Sequence, residues 1–200
     1  MGKETKEILK NLDYVFDLYI NQGHAEYHGE PVSVLEHSLQ TAILAQKAKS
    51  KNYVILAAFL HDIGHLLIEY DQDSMNGYGH ISHEKIGANK ILELGFSEKI
   101  AELILNHVQA KRYLVSKFPS YFDKLSEASI ETLKLQGGKM EKLEMENFER
   151  KETFKYSLLL RIWDDQAKIP NQHIPDLSCY YDLAKKHIIA NERIKTKNLK

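Results

Sequence analysis

Apolar residues recur along this chain three or four positions apart, which is the spacing of one face of an α-helix. No convincing pair of segments alternates apolar and polar residues as neighbouring strands would. A stripe near the start of the chain shows the helical pattern: Ile8, Leu9, Leu12, Val15, Phe16 and Tyr19. The pattern therefore predicts an all-α fold in which amphipathic helices pack into a bundle.

Helix-capping residues predict where several of these helices begin. Ser33 is followed three residues later by Glu36, which forms a capping box at the start of one helix. Asn52, Ser97 and Ser126 precede apolar periodic segments and are predicted to cap three more helices.

Glycine and proline predict where helices end. We expect the helix after Asn52 to end near Gly64, a helix over 82–94 to stop at Gly95, and the helix after Ser126 to end at 137–138. A loop is expected at 71–80, which is rich in Gly and Asn.

The C-terminal third is predicted to hold two more helices. A long helix is expected over 144–167, and Pro170 would block its continuation. A last helix follows Pro175, and residues 193–200 are expected to form a flexible tail.

Composition limits the possible functions. The 200 residues suit one domain covering 1–200, and no Gly-, Pro- or Ser-rich linker interrupts them. Lys and Arg number 27 against 28 Asp and Glu, so no large basic surface for nucleic acid is expected. The single cysteine, the charged N-terminus and the lack of a long apolar run predict a cytoplasmic protein that does not bind a membrane. Oligomeric state is left open.

The ten histidines are the unusual feature of the composition, and His61 and Asp62 give the strongest local signal. They follow the apolar run 54–60, which predicts that both side chains are buried. A buried His-Asp pair is costly unless its members are hydrogen-bonded to each other or coordinate a metal. An adjacent imidazole and carboxylate could share one ion, and the carboxylate could bridge to a second.

Four further residues on predicted helices complete a constellation in the order H…HD…H…H…D: His37, His83, His107 and Asp164. Each alone would more readily be structural, but the set is hard to explain that way. Six ligands with a shared Asp62 suit two ions, and imidazole and carboxylate donors suit iron, manganese or zinc.

This ligand order resembles that of the HD superfamily over most of the chain. A narrower resemblance is to the mixed-valent di-iron HD oxygenases, especially those that cleave the carbon–phosphorus bond of 2-amino-1-hydroxyethylphosphonate, and more distantly to myo-inositol oxygenase. The matching features are Tyr27 and Glu30, the segment 107–113, Ser129 with Thr132, the segment 136–138, and Arg161 with Asp164 and Asp165.

The resemblance implies two iron ions, Fe(II) and Fe(III), with O2 as co-substrate. One iron would be held by His37, His61, Asp62 and Asp164 and the other by Asp62, His83 and His107. Tyr27 would ligate the second iron when substrate is absent, and Glu30 would face the substrate's amino group. The implied reaction yields phosphate and glycine, but the substituent on the substrate nitrogen, a free amine or a trimethylammonium, is left open.

Several side chains share faces with these ligands and are candidates for binding the phosphonate. Lys111 lies one turn after His107, and His65 lies four residues after His61. Ser129 and Thr132 are three apart on one helix, and Arg161 could hold Asp164 or reach the substrate. We therefore predict Tyr27, Glu30, His65 and Lys111 as catalytic residues. The substrate-binding set is Glu30, His65, Lys111, Ser129, Thr132 and Arg161.

Two other functions remain open at this point. One is a metal-dependent HD phosphohydrolase acting on a nucleotide or a small phosphomonoester, for which the same ligand order would serve. The other is a non-catalytic HD module. Tyr27 and Glu30 favour the oxygenase over the hydrolase, and the complete ligand set disfavours the module.

Overall fold

The structure, a computed structural model, describes residues 3–27, 29–67 and 82–198. Within these ranges it contains ten α-helices, one short 3-10 helix and no strand, which confirms the predicted all-helical fold. The helices are α1 (Lys3–Gln22), α2 (Val34–Lys47), α3 (Asn52–Leu60), α4 (His83–Glu93), α5 (Glu98–Lys117), α6 (Pro119–Phe122), α7 (Glu127–Leu135), α8 (Lys142–Glu149), α9 (Phe154–Gln166) and α10 (Ser178–Asn198), with the 3-10 helix (Ile63–Leu66) between α3 and α4.

Helix α3 lies at the centre of the bundle. It packs against α2, α5, α9 and α10, and its residues 54–60 are all buried. A helix that is apolar on every side must be enclosed by others, because only then does each face leave water. Burial of a side chain such as Leu56 or Phe59 contributes about 1.5–3 kcal/mol. The end of α3 therefore delivers His61 and Asp62 to the interior.

A second, smaller apolar cluster lies beside the C-terminal half of α5. It is made of Ala110, Tyr113, Leu114, Met140 and Phe148. This cluster joins α8 and the segment before it to the far end of α5, so α5 spans both parts of the interior.

The capping predictions are confirmed at two of four helix starts. Both bonds of the Ser33 capping box are present, and the Ser126 hydroxyl accepts a bond from the Ser129 backbone N–H. Ser97 occupies its predicted N-cap position but makes no side-chain cap bond. Asn52 is the first residue of α3 rather than its cap, which is Lys51.

The single long helix predicted over 144–167 is wrong, because α8 ends at Glu149 and α9 begins at Phe154. No glycine or proline marks this break. Tertiary contacts explain it: Phe148 and Phe154 both pack on the ring of Tyr113 from either side of the break. Residues 193–198, expected as a tail, continue α10.

The predicted loop 71–80 lies outside the described residues. Helix α4 begins at His83 and stops before Gly95, whose φ of +93° is favourable for glycine. Among the described helices, none is long and apolar enough to cross a membrane. The prediction of one domain over 1–200 stays a prediction.

Candidate metal centre and pocket

His61 and Asp62 lie between the end of α3 and the start of the 3-10 helix. Helix α3 ends at Leu60, four residues earlier than the Gly64 stop predicted from the sequence, and His61 is its C-cap. Asp62 has left the helical conformation, with φ −107° and ψ 12°. This turn allows adjacent side chains to face one cavity, whereas neighbours within a helix diverge by about 100°. Both residues are almost fully buried.

Three buried side chains from three helices form a first possible metal site. They are His37 of α2, His61 and Asp164 of α9. The Nε2 atoms of His37 and His61 are 3.2 Å apart, and His37 Nε2 lies 3.3 Å from Asp164 Oδ1.

A second buried triad lies beside the first and consists of Asp62, His83 and His107. The Nε2 atoms of His83 and His107 are 3.1 Å apart, and each lies 3.4 Å from Asp62 Oδ1. His107 stands in the middle of α5, not near its end as the sequence suggested, so helix continues past it to Lys111 and beyond.

Asp62 faces both triads with different oxygens. Its Oδ1 faces His83 and His107, whereas its Oδ2 lies 3.3 Å from His61 Nε2 and 3.6 Å from His37 Nε2. A carboxylate placed in this way can bridge two cations. The geometry thus brings together all six residues of the predicted ligand set.

Main-chain carbonyls determine which ring nitrogen faces each site. The Nδ1 atoms of His37, His61 and His107 lie 2.9, 2.9 and 2.6 Å from the carbonyl oxygens of Ala167, Ala58 and Ile104. A carbonyl only accepts, so each Nδ1 must carry the proton, and in the neutral ring Nε2 is then a lone pair. Lone pairs 3.2 Å apart, as in His37 and His61, are favourable when a cation lies between them.

The charges of these residues also favour a bound cation. Burial raises the pKa of Asp62, but His61 and the other histidines together hold that pKa well below its usual range. Burial lowers the pKa of His107 to about 3, so this ring is neutral and able to ligate. Burial also lowers the pKa of His61, but the Asp62 carboxylate outweighs it and raises the value to about 9. Near neutral pH this ring therefore holds a second proton, which a bound cation would replace at Nε2. Anionic carboxylates enclosed by imidazoles fit two divalent or trivalent ions.

In the sequence, the choice of Asp164 over Asp165 as the ligand rests on spacing alone, and the structure gives the two carboxylates different surroundings. Asp164 belongs to the first triad and accepts a 2.8 Å hydrogen bond from Arg161. Asp165 lies outside this triad and accepts hydrogen bonds from Arg161 and Tyr121. Burial opposes ionisation of Asp164, but Arg161 and His37 keep its pKa well below the usual range.

A pocket opens directly onto Asp62, His83 and His107. Every residue predicted to bind substrate lines it: Glu30, His65, Lys111, Ser129, Thr132 and Arg161. Its volume is about 50 Å³. At about 10–15 Å³ per water, that space holds roughly three to five waters. The pocket, as the described residues line it, therefore suits a compound of few heavy atoms.

Lys111 is an almost fully buried cation in this pocket. Its Nζ donates to the Thr132 hydroxyl at 2.8 Å and to the Ser129 carbonyl at 3.4 Å. Burial, with Arg161 nearby, lowers the pKa of Lys111 to about 7. Among the described residues, no carboxylate pairs with it within 4 Å, so a bound dianion would be its natural counter-charge.

Tyr27 lies against the bridging carboxylate. Its hydroxyl donates a 2.6 Å hydrogen bond to Asp62 Oδ2, and its ring stacks on His37 with 4.0 Å between centroids. Burial and the Asp62 charge hold the pKa of Tyr27 well above its usual range. A metal cation would act in the opposite direction. His65 stacks in a similar way on the other side, over the ring of His83 at 4.0 Å.

Glu30 is already engaged in an ion pair that the sequence did not predict. Lys168 lies 2.5 Å from Glu30 Oε1, and the Ser126 hydroxyl donates to the same oxygen at 2.6 Å. Lys168 lines the pocket and follows Asp164 by four residues, a spacing that could have suggested a shared face. It was missed because it lies just beyond the end of α9.

Gln136, which in the sequence is only part of the segment 136–138 that carries the resemblance, also lines the pocket. Its buried Oε1 has no hydrogen-bond partner among the described groups. A buried acceptor without a partner costs free energy, so this side-chain carbonyl oxygen is available to accept a hydrogen bond from a bound molecule.

Comparison with known proteins gives one family match and several relatives. The HD domain family model matches residues 34–164. An uncharacterized protein of Acanthamoeba polyphaga mimivirus is 43% identical over 183 residues, which cover 91% of this chain and 84% of that protein.

Two relatives are named for an activity. The [1-hydroxy-2-(trimethylamino)ethyl]phosphonate dioxygenase (glycine-betaine-forming) of Leisingera caerulea is 39% identical over 165 residues, covering 82% of this chain and 84% of that protein. The hydroxymethylphosphonate dioxygenase of Gimesia maris is 39% identical over 168 residues, covering 84% of this chain and 83% of that protein.

Proposed function

The chain belongs to the HD domain family, and from this premise we propose that it is a di-iron, O2-dependent oxygenase that cleaves the carbon–phosphorus bond of a small 1-hydroxyphosphonate. The observation that carries the proposal is the position of Tyr27. Its hydroxyl donates a hydrogen bond to Asp62 Oδ2, the oxygen that faces the first triad. A hydrolase has no use for a displaceable tyrosine there. The two relatives named as phosphonate dioxygenases support the same reaction class.

The two triads would hold the metal ions. His37, His61 and Asp164 would bind one ion and His83 and His107 the other, with Asp62 shared between them. Two iron ions, as Fe(II) and Fe(III), would supply the activation of O2 that oxidative cleavage requires.

Substrate binding follows from the charges lining the pocket. A phosphonate carries about two negative charges near neutral pH. Lys111 would hold one phosphonate oxygen, and the Ser129 hydroxyl and the Gln136 side-chain NH2 would donate further hydrogen bonds. Thr132 would contribute by accepting the hydrogen bond that positions the Lys111 ammonium. Arg161 fixes Asp164 and extends its other nitrogen to the Ser129 hydroxyl at 3.2 Å, so it orders the phosphonate-facing wall.

Tyr27 and Glu30 would control access to the metal centre. Both belong to the turn between α1 and α2, in which the Glu30 N–H bonds to the Tyr27 carbonyl at 2.9 Å. We propose that Tyr27 ligates one iron in the substrate-free state and leaves it when substrate binds. The resemblance implied the iron held by Asp62, His83 and His107, but the Tyr27 hydroxyl contacts the Asp62 oxygen that faces His37 and His61, which favours the other iron. His65, stacked over His83, would close the pocket on the opposite side.

The reaction is a four-electron oxidation of one carbon by one O2. The C–H and C–P bonds of carbon 1 break, the carbon becomes a carboxylate, and phosphorus gains an oxygen to leave as phosphate. With 2-amino-1-hydroxyethylphosphonate, the substrate that the sequence resemblance suggests, the products are glycine, phosphate and one proton.

The test is an assay of iron-loaded protein with 2-amino-1-hydroxyethylphosphonate and hydroxymethylphosphonate, each with and without O2. We expect phosphate that appears only with O2, in a one-to-one ratio with O2 consumed. Asp62→Ala serves as the inactive control. The proposal is overturned if phosphate is released without O2 from phosphomonoesters, which would make the protein a phosphohydrolase.

A further inference from the structure

Lys168 and Glu30, which both line the pocket, form a charged cluster with Ser126. Lys168 Nζ lies 2.5 Å from Glu30 Oε1 and 3.2 Å from Ser126 Oγ. The Ser126 hydroxyl donates to the same Glu30 oxygen at 2.6 Å. The side chains of Glu30 and Lys168 are only 9% and 14% exposed, so water screens this ion pair weakly.

Each carboxylate that lines the pocket already faces cationic or hydrogen-bonding partners. Asp62 faces the histidines and Tyr27, Asp164 is bonded to Arg161, and Glu30 is paired with Lys168. Among the described residues, Lys111 is the one lining cation with no carboxylate within ion-pair distance. The described lining is therefore prepared for the dianionic end of a substrate, and none of its carboxylates is left unpaired for a cationic end.

The ion pair between Lys168 and Glu30 disfavours binding of a positively charged amino group. To reach Glu30 it would have to displace Lys168, or else lie beside the Lys168 ammonium as a like charge. A trimethylammonium group could be bound by aromatic faces, but Tyr27 is the one Phe, Tyr or Trp residue among the described lining residues. One face of that ring is stacked on His37, and its hydroxyl is hydrogen-bonded to Asp62.

We infer that Lys168 is a specificity-determining residue, which occupies Glu30 and directs the pocket to 1-hydroxyphosphonates that carry no ammonium group. The inference depends on the proposed function for its reaction. The smallest such substrate is hydroxymethylphosphonate. With one O2 it gives formate, phosphate and one proton, a balance that needs no other oxidant.

Binding and turnover should be measured separately. Isothermal titration of metal-loaded protein without O2 gives the Kd of hydroxymethylphosphonate and of 2-amino-1-hydroxyethylphosphonate. Phosphate release with O2 gives kcat/KM for both. The variants are Lys168→Met, which removes the charge at similar length, Lys168→Gln in case the first is unstable, and Lys168→Arg, which keeps the charge. Lys134→Met is the matched control, because Lys134 is an exposed lysine on α7 whose one ion pair among the described residues is with Glu131.

We expect wild type to favour hydroxymethylphosphonate by about tenfold or more, and Lys168→Met to move the ratio of Kd values toward the amino compound by about tenfold. Lys168→Arg and Lys134→Met should keep the wild-type ratio. The double variant Glu30→Gln, Lys168→Met should lose the gain, because the freed carboxylate is what would attract the amine.

The outcomes separate the two hypotheses. If wild type binds the amino compound at least as tightly, or if removing the Lys168 charge leaves the ratio unchanged, the inference is wrong even when O2-dependent phosphate release upholds the proposed function. If the binding ratio shifts as expected but no phosphonate yields phosphate with O2, the charge selection by Lys168 stands as a binding property and the oxygenase proposal fails.

Discussion

Substitution of Gly64 by alanine should remove one metal ion by displacing a helix. A Cβ atom at Gly64 would lie 2.0 Å from the carbonyl oxygen of His83 and 2.7 Å from its carbonyl carbon. Real Cβ contacts are essentially never closer than 3.0 Å, so the start of α4 must move by about 1 Å. Metal–ligand distances tolerate only about 0.2 Å, so His83 would leave the site that it shares with Asp62 and His107.

The assay is equilibrium dialysis against iron or manganese followed by elemental analysis of the bound metal. Wild type should bind two ions and Gly64→Ala no more than one, with an overpacking cost of about 1–3 kcal/mol in the free energy of unfolding. Gly138→Ala is the control: its Cβ would meet nothing within 4 Å, although its φ of +64° costs about 1–2 kcal/mol. Two ions bound by Gly64→Ala at wild-type affinity would refute the idea that this contact positions His83.

Three further substitutions test the site. Asp62→Ala should abolish binding of both ions, because Oδ1 and Oδ2 face different triads, and iron retained near two equivalents would contradict the bridge. Tyr27→Phe should keep both ions but lose the visible tyrosine–Fe(III) absorption band of the iron form, and an unchanged spectrum would remove Tyr27 from the coordination sphere. Lys111→Met should flatten the pH dependence of stability of the metal-free protein. The pKa of Lys111 falls from 10.5 unfolded to about 7 folded, so between these values the unfolded chain binds more protons and wild-type stability rises with pH, by up to about 1.4 kcal/mol per pH unit. Parallel urea titrations of both proteins from pH 7 to 9 measure this difference, and equal slopes would rule it out.

The order of the candidate ligands could be found in the sequence because each lies in a locally recognisable place. His61 and Asp62 directly follow the most apolar segment, so their burial was predictable without knowledge of the fold. His37 lies four residues after Ser33, the first residue of a capping box that the structure confirms. Helical periodicity, a local property, was therefore enough to place these residues in the interior of an all-helical protein.

Features set by contacts between distant segments were not predictable. The break between α8 and α9 has no local signal, and it occurs where Thr153 accepts a hydrogen bond from Asn106 of α5. Asp164 and Asp165 are adjacent on one helix, and what distinguishes them is that Asp164 meets His37 and His61 whereas Asp165 accepts a hydrogen bond from Tyr121. Such contacts join residues more than 40 positions apart, so periodicity holds no information about them.

The end of α9 connects metal binding to substrate selection. The carbonyl of Ala167, the C-cap of this helix, accepts the bond that orients His37, and the next residue is Lys168. Because the link to His37 runs through the main chain, a change of side chain at Lys168 should alter the charge of the pocket and leave the metal ligand in place. Metal content equal to wild type in Lys168→Met would therefore show that an altered substrate preference arises from charge. A loss of one ion would show that the Lys168 side chain also holds the helix end against His37, so substrate charge and metal affinity would be coupled through this turn.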